Sequence, residues 1–371
     1  MSRVFTSLFG AQSGGLVGRI VSCLTILAFS TLLSSVASAQ FFPFPFPWFG
    51  GGENHPAPVG VVERLPGLSA NSKAVSVSGI SSGGYMATQL QVAYSATFMG
   101  VGSIAGGPWN CAEGSSYTAQ TTCMSTTSDV DSDMLATELK AAAKKHQVDP
   151  LENLKSARVY LFNSPVDQTV RSPMNKKTKD FYARFVPDAQ IKTETSVRAA
   201  HGFPTLSYGN TCGAMASPYM NNCHFDGAGE ILKQIYAELP IKLASTAAVV
   251  TSLHVFNQSE FTKADIMLAK TGWVYIPERC RVAGADCAVH VALHGCLQAI
   301  ENVQDEFALH AGYNEWAEGS GIIVLYPQAE SGSGNPNACF DWWGYTNDDY
   351  AIKKGVQMKA IKEMVSRVLG S

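Results

Sequence analysis

Charge is scarce in this chain. Asp, Glu, Lys and Arg make up 15% of its 371 residues, against roughly 25% in an average soluble protein. No basic tract occurs, and 27 Lys and Arg stand against 30 Asp and Glu, so a nucleic-acid partner is disfavoured. No C-x-x-C pair occurs among the nine cysteines, which removes the usual spacing of a structural zinc site, and no metal site is expected. There is no internal repeat, and no linker clearly splits the region after residue 60, so one domain is expected. The apolar run from Ile20 to Leu33 is shorter than a bilayer-spanning helix needs and carries Ser and Thr, so it makes no stable membrane anchor.

What is present at the N-terminus is an export signal. Residues 1–39 contain Arg3 and Arg19 but no acidic residue, then the apolar run, then Val36-Ala37-Ser38-Ala39, with alanines where a signal peptidase reads small residues. The mature chain is expected from about Gln40, in a periplasm or outside the cell, with 25 Lys and Arg against 30 Asp and Glu. Residues 40–60 contain "FFPFPFPWFGGG", in which prolines block regular hydrogen bonding, and read as an extended arm or linker. Residues 61–371 form the expected folded domain; with 46% hydrophobic residues the chain can fill a sizeable core.

Cys23 leaves with the signal, and eight cysteines remain in an oxidising compartment, where disulfides are expected. Proximity in sequence suggests Cys111 with Cys123, Cys212 with Cys223 and Cys280 with Cys287, leaving Cys296 for Cys339.

Apolar runs of strand length occur at 73–78, 157–164, 288–295 and 321–328. Helical stripes occur after the first of these, through about Tyr94, at 131–146 and from about Tyr350 to the end. Strands flanked by helices indicate an α/β fold, a mostly parallel sheet with helices on both faces.

Gly79-Ile80-Ser81-Ser82-Gly83 follows the first strand and precedes a helix, the context in which G-x-S-x-G is informative. Glycines at the ends let the backbone turn sharply, so the central hydroxyl, Ser81, projects above the sheet edge. The N–H of Ser82 then faces the same space and can hold an oxyanion. A serine hydroxyl needs a base, and the base needs a carboxylate to hold its tautomer. Asp167 lies in the loop just past the second strand and His201 in a loop 34 residues later. The order Ser, Asp, His is that of the α/β-hydrolases.

His294, at a strand end in "VALHGC", rivals His201. A His-Gly pair at a strand end is also how such enzymes present an oxyanion donor, here the N–H of Cys296. His290 and His294 could instead share a face of their strand, but no third metal ligand accompanies them. The oxyanion loop ordinarily precedes the nucleophile, whereas this one follows Ser81 by more than two hundred residues. If both serve one site, the chain is a circularly permuted α/β-hydrolase.

The set "GISSGGYMATQLQVAYS", "VYLFNSPVDQTV", "AAHGFPT", "VALHGC" and "NPNACFDWWGY" resembles the catalytic domain of poly(3-hydroxybutyrate) depolymerases of the circularly permuted type, from about residue 68 to the C-terminus. The resemblance implies a serine carboxylesterase acting on a polyester or oligoester, with no cofactor and as a monomer. It implies Ser81 as nucleophile, His201 as base, Asp167 as its carboxylate, and Ser82 and Cys296 N–H groups as the oxyanion hole. It further implies a substrate-facing tryptophan, here Trp342 or Trp343; a Cys296–Cys339 bridge would hold that segment beside the scissile ester. Extracellular members append a polymer-binding domain after the catalytic part, and nothing follows the terminal helix here, which favours amorphous granules or soluble oligomers. A secreted acetyl, feruloyl or small-ester esterase would keep the same triad, and a non-catalytic binding module would require the triad spacing to be accidental.

Overall fold

Eight strands form the central sheet of a computed structural model that describes residues 62–371 except 127, 128, 263 and 283. The signal, its cleavage point and the aromatic arm lie outside the described residues. The strands are β1 (Val75–Ile80), β2 (Gly100–Ile104), β3 (Arg158–Phe162), β4 (Ile191–Glu194), β8 (Leu253–Asn257), β9 (Thr271–Tyr275), β10 (Ala288–Leu293) and β11 (Ile322–Tyr326). A separate three-stranded sheet holds β5 (Phe203–Thr205), β6 (Asn210–Thr211) and β7 (Met220–Asn222).

The large sheet runs β4-β3-β2-β1-β10-β11-β9-β8. Its first six strands are parallel, and β9 and β8 complete it antiparallel. The chain therefore starts in the middle of its own sheet. It builds outward through β2, β3 and β4, then crosses to the other half and returns inward until β10 pairs with β1. This is the permuted order expected from the position of His294-Gly295-Cys296 after Ser81 in the chain. The first and last described segments meet as such a permutation demands: Leu68 N–H donates to the Val368 carbonyl at 3.0 Å, and the Arg367 guanidinium donates to the Leu65 carbonyl at 3.3 Å.

Helices cover both faces. On one face of β1 Gly79 abuts the helix Ser82–Ala93: a Cβ on Gly79 would lie 2.3 Å from the Gly83 carbonyl oxygen. On the other face Ser76 and Ser78 line up with His290 of β10, under the helices Gly227–Ile235 and Tyr313–Ser320. Ser76 Oγ lies 2.7 Å from both Tyr236 Oη and His290 Nδ1; Ser78 Oγ lies 2.7 Å from His290 Nε2 and 2.6 Å from Tyr313 Oη. All five residues are buried, and burial pushes the His290 ring down to about 3, so it is neutral. Hydroxyls thus satisfy a polar layer inside a parallel sheet, where unpaired groups would each cost about 1–3 kcal/mol.

Element ends differ from the sequence reading in instructive ways. The first strand continues to Ile80, so Ser81 follows it with no intervening loop. The helix Ser132–Lys144 starts at Asp131, whose carboxylate accepts from the N–H groups of Asp133 and Met134. The last helix begins at Val356, not near Tyr350. Residues 350–355 are spent on tertiary contacts instead: Tyr350 Oη donates to Asn110 and Lys353 N–H donates to the Gln147 carbonyl.

All four suggested disulfides form: Cys111–Cys123, Cys212–Cys223, Cys280–Cys287 and Cys296–Cys339. The last closes the longest span, 43 residues, a constraint worth about 4 kcal/mol on chain entropy. Among the described residues no helix is long and apolar enough to cross a membrane.

Candidate active site

Parallel strands point their C-terminal ends the same way, and ligands of such sheets bind at that edge. Ser81 directly follows β1, Asp167 follows β3, His201 follows β4, and His294 follows β10. The topology therefore brings four residues separated by as many as 213 positions in sequence to one edge.

Ser81 occupies φ 55°, ψ −121°, a region that side chains rarely adopt. Its N–H donates to the Ile104 carbonyl at 2.9 Å and its carbonyl accepts from Tyr85 N–H at 3.0 Å, which clamps the bend from both sides. The hydroxyl does not cap the helix that it precedes. No Cβ fits at either flanking glycine: at Gly79 it would lie 2.3 Å from the Gly83 carbonyl oxygen, and at Gly83 it would lie 2.4 Å from the His294 carbonyl oxygen just past β10. Ser82 is the first residue of the helix, where N–H groups lack intrahelical partners and the dipole favours negative charge.

Asp167 turns its carboxylate into two roles. Oδ1 accepts from the N–H groups of Thr169 at 2.7 Å and Val170 at 3.0 Å, an Asx-type turn that fixes the side chain. Oδ2 lies 2.8 Å from His201 Nδ1, with side-chain exposures of 3% for Asp167 and 12% for His201. His201 rides on a loop laced to the small sheet: Ala200 N–H donates to the Cys212 carbonyl, Asn221 Nδ2 to the Ala200 carbonyl, and Phe203 N–H to the Tyr219 carbonyl. The Cys212–Cys223 bridge ties that sheet together.

The loop after β10 lies against the bend. A Cβ on Gly295 would sit 3.3 Å from Ser81 Cβ. Its N–H donates to Gln298 Oε1 at 2.8 Å, while Gln298 Nε2 donates to the Pro218 and Tyr219 carbonyls. Gln298, which is buried, thus links the loop beside Ser81 to the segment paired with Phe203, two residues past His201. Neither the Ser82 nor the Cys296 N–H meets an acceptor among the described residues. His294, the rival base, is fully buried and has both ring nitrogens committed to backbone at Gly295 and Ala329. His290, held between two serines, is likewise committed.

The Cys296–Cys339 bridge brings "CFDWWGY" to this loop. Phe340 N–H donates to Ser82 Oγ at 3.4 Å, so the Ser82 hydroxyl has a tether of its own. Trp342 is buried and stacked on Tyr85 with centroids 3.9 Å apart. Trp343 is half-buried and edge-on to it at 5.6 Å. Asp341 shapes the turn: its carboxylate accepts from the N–H groups of Trp343, Gly344, Tyr345 and Thr346. Burial pushes this carboxyl above its ordinary range, against the opposing pull of the Thr346, Gly344 and Tyr345 hydrogen bonds.

Sequence reasoning did not find Gln298 or Asp341. Both act through backbone amides, which no residue spacing announces; "D-x-x-G" after the bridging cysteine was the available hint for Asp341.

Fold and site together define an α/β-hydrolase with a serine at its nucleophile elbow. Over 320 residues the chain is 37% identical to the polyhydroxybutyrate depolymerase of Talaromyces funiculosus, a match that covers 82% of this chain and 92% of that protein. The chain belongs to the poly(3-hydroxybutyrate) depolymerase family, a family of enzymes. It is also 41% identical over 308 residues to the poly(3-hydroxybutyrate) depolymerase of Delftia acidovorans, spanning 82% of this chain and 61% of that relative. Two solved structures superpose closely. A serine-to-alanine variant of a PHB depolymerase complexed with an R3HB trimer gives a TM-score of 0.77 at 35% identity, covering 83% of this chain and 99% of the other. The PHB depolymerase of Penicillium funiculosum gives 0.76 at 36%, with the same coverage. No protein-family model matches the chain.

Proposed function

We propose that this chain is a secreted or periplasmic serine carboxylesterase that hydrolyses the ester bonds of poly(3-hydroxybutyrate) or its oligomers, acting as a monomer from about Gln40 and without a cofactor. The observation that carries the reading is the Asp167–His201 hydrogen bond at the sheet edge that bears the strained Ser81. His201 takes the Ser81 proton as Oγ attacks the ester carbonyl, and the Ser82 and Cys296 N–H groups hold the resulting oxyanion. The alcohol leaves with that proton, and water, deprotonated by His201, then releases the acid and restores Ser81. Four disulfides support an oxidising compartment. Low charge density suits a neutral polyester surface.

Adding the mature protein to amorphous poly(3-hydroxybutyrate) suspensions is expected to clear them, with release of short 3-hydroxybutyrate oligomers. Hydrolysis of p-nitrophenyl butyrate without clearing would move the substrate assignment to the acetyl, feruloyl or small-ester esterases.

The two tryptophans separate by burial. Trp343→Ala removes an indole that keeps open surface, and KM for soluble oligomers is expected to rise about 3–10-fold with little change in melting temperature. Trp342→Ala opens a cavity against Tyr85 and is expected to cost about 3–5 kcal/mol of stability. Thermal melts and oligomer kinetics on both variants check this; an unchanged KM in Trp343→Ala would leave that residue without a binding role.

A further inference from the structure

We propose that Asp341 is a positioning residue for substrate recognition, holding the Trp343 indole at a fixed place relative to Ser81. The inference rests on the reading above that Trp343 meets the substrate.

The segment that carries both residues is laid along one face of the nucleophile's helix, Ser82–Ala93. Phe340 N–H donates to Ser82 Oγ, the Trp342 indole stacks on Tyr85, and Gln89 Nε2 donates to the Asp341 carbonyl at 3.1 Å. Positions 82, 85 and 89 share one stripe of an α-helix, so residues 340–342 follow that stripe from the bend that bears Ser81. The last helix holds Asp341 from the other side. Asp341 N–H donates to Gln357 Oε1 at 2.8 Å, and Gln357 Nε2 donates to the Ile266 carbonyl at 2.7 Å and to Tyr345 Oη at 2.9 Å. Gln89, Asp341 and Gln357 are all buried. The Asp341 backbone is therefore anchored at both its N–H and its carbonyl.

Trp343 is the first residue beyond this track, and the carboxylate holds its backbone. Oδ1 accepts from the N–H groups of Trp343, Gly344 and Tyr345 at 3.3, 2.7 and 3.1 Å, while Oδ2 accepts from Thr346 N–H at 3.0 Å and from the Thr346 hydroxyl. Five donors converge on one buried side chain, and bonds to an ionised acceptor are roughly twice as strong as neutral ones. Gly344 completes the turn at φ 87°, a conformation that favours glycine. With residues 343–346 wrapped around a fixed point, the indole leaves the turn in one direction, edge-on to Trp342 at 5.6 Å and tilted against Tyr345 at 4.9 Å. Without the carboxylate four amides lose their common acceptor, and the indole loses its fixed distance from the nucleophile. Ser81 and His201 keep their own anchors, at Ile104, Tyr85 and Asp167. The expected signature is therefore a loss of oligomer binding with the chemistry largely spared.

The test measures hydrolysis of soluble 3-hydroxybutyrate trimer by Asp341→Ala and Asp341→Asn, each with Trp343 intact and combined with Trp343→Ala. Asp341→Ala is expected to raise KM about 3–10-fold, as Trp343→Ala does, with kcat within about threefold of the parent. Asp341→Asn keeps one oxygen for the Trp343, Gly344 and Tyr345 N–H groups, so its KM is expected to return to within about threefold of the parent. In the Trp343→Ala background, Asp341→Ala is expected to add less than about twofold to KM, because both changes act through one indole. A merely structural turn would lower the melting temperature and either leave KM alone or raise it equally in both backgrounds; either result overturns the proposal. If Asp341→Ala does not fold, Thr346→Val takes its place, since it removes one donor to Oδ2 and keeps every backbone bond. KM is then expected to rise about twofold, and only while Trp343 is present; an unchanged KM overturns the proposal. Trp343→Ala alone separates the two readings. A normal KM there sinks the binding role of the tryptophan and this proposal with it, whereas a raised KM beside a normal one in Asp341→Ala sinks only the role of Asp341.

Discussion

Ser81→Ala is expected to reduce kcat for both p-nitrophenyl butyrate and polymer by about 10⁴- to 10⁶-fold. The size of the effect depends on whether a neighbouring hydroxyl can stand in, and the structure shows that neither neighbour is available. Ser78 Oγ is locked between His290 Nε2 and Tyr313 Oη on the helix-covered face of β1. Ser82 Oγ accepts the Phe340 N–H that ties the aromatic segment to the bend. The substitution leaves the fold alone for a stated reason. Ser81 makes no side-chain cap, and alanine presents the same Cβ to the φ 55° bend, so strain and helix start are unchanged. A melting temperature within about 2 °C of the parent is expected, since the change removes a single hydroxyl that caps no helix and so stays near ±0.5 kcal/mol. Binding of soluble oligomers should persist in the inactive variant, measured by calorimetry. Polymer clearing that survives in Ser81→Ala would remove the nucleophile assignment outright.

How much of this was legible before the fold was known depends on the range of the signal. Ser81 was legible because its constraint is local: Gly79 and Gly83 stand at fixed offsets, and a strand and a helix abut them. The permutation was legible too, because it is a statement about chain order, and His294-Gly295-Cys296 falls after Ser81 in any conformation. Disulfides followed from proximity for three bridges and from remainder for the fourth. Residues that act through backbone amides were not legible. Gln298 joins Gly295 to Tyr219, 79 positions away, and nothing in either sequence neighbourhood marks the other. Strands β2, β4, β8 and β9 also escaped notice; the interior β2 is only five residues long, and two of them are glycines. β4 is four residues long with two exposed positions, and β8 has three of its five residues only half-buried, so neither makes the continuous apolar run that marked β3, β10 and β11. The late start of the last helix has the same origin, since tertiary contacts of Tyr350 and Lys353 outweigh a locally helical pattern.

Asp167→Asn tests the triad without altering its shape, and kcat is expected to fall by about 10⁴-fold with KM nearly unchanged. The Asx turn decides the outcome. The oxygen now at Oδ1 accepts two backbone N–H groups, from Thr169 and Val170. In the asparagine variant only the amide oxygen can fill that place, because an NH₂ group there would face two donors and cost about 1–3 kcal/mol for each unmet bond. The NH₂ group is therefore forced toward His201 Nδ1, where the carboxylate Oδ2 stood at 2.8 Å. A donor at that point requires a lone pair on Nδ1, which moves the ring proton to Nε2. An imidazole protonated on Nε2 cannot accept the Ser81 proton, so the base is lost although every heavy atom keeps its position. Two measurements check the argument: ¹⁵N shifts of His201 should show the tautomer exchanged, and activity should recover partly at alkaline pH, where hydroxide replaces the missing base. A variant with normal kcat would show that Asp167 only positions the loop, and a variant that unfolds would be resolved by Asp167→Glu, which restores the charge while breaking the Asx turn.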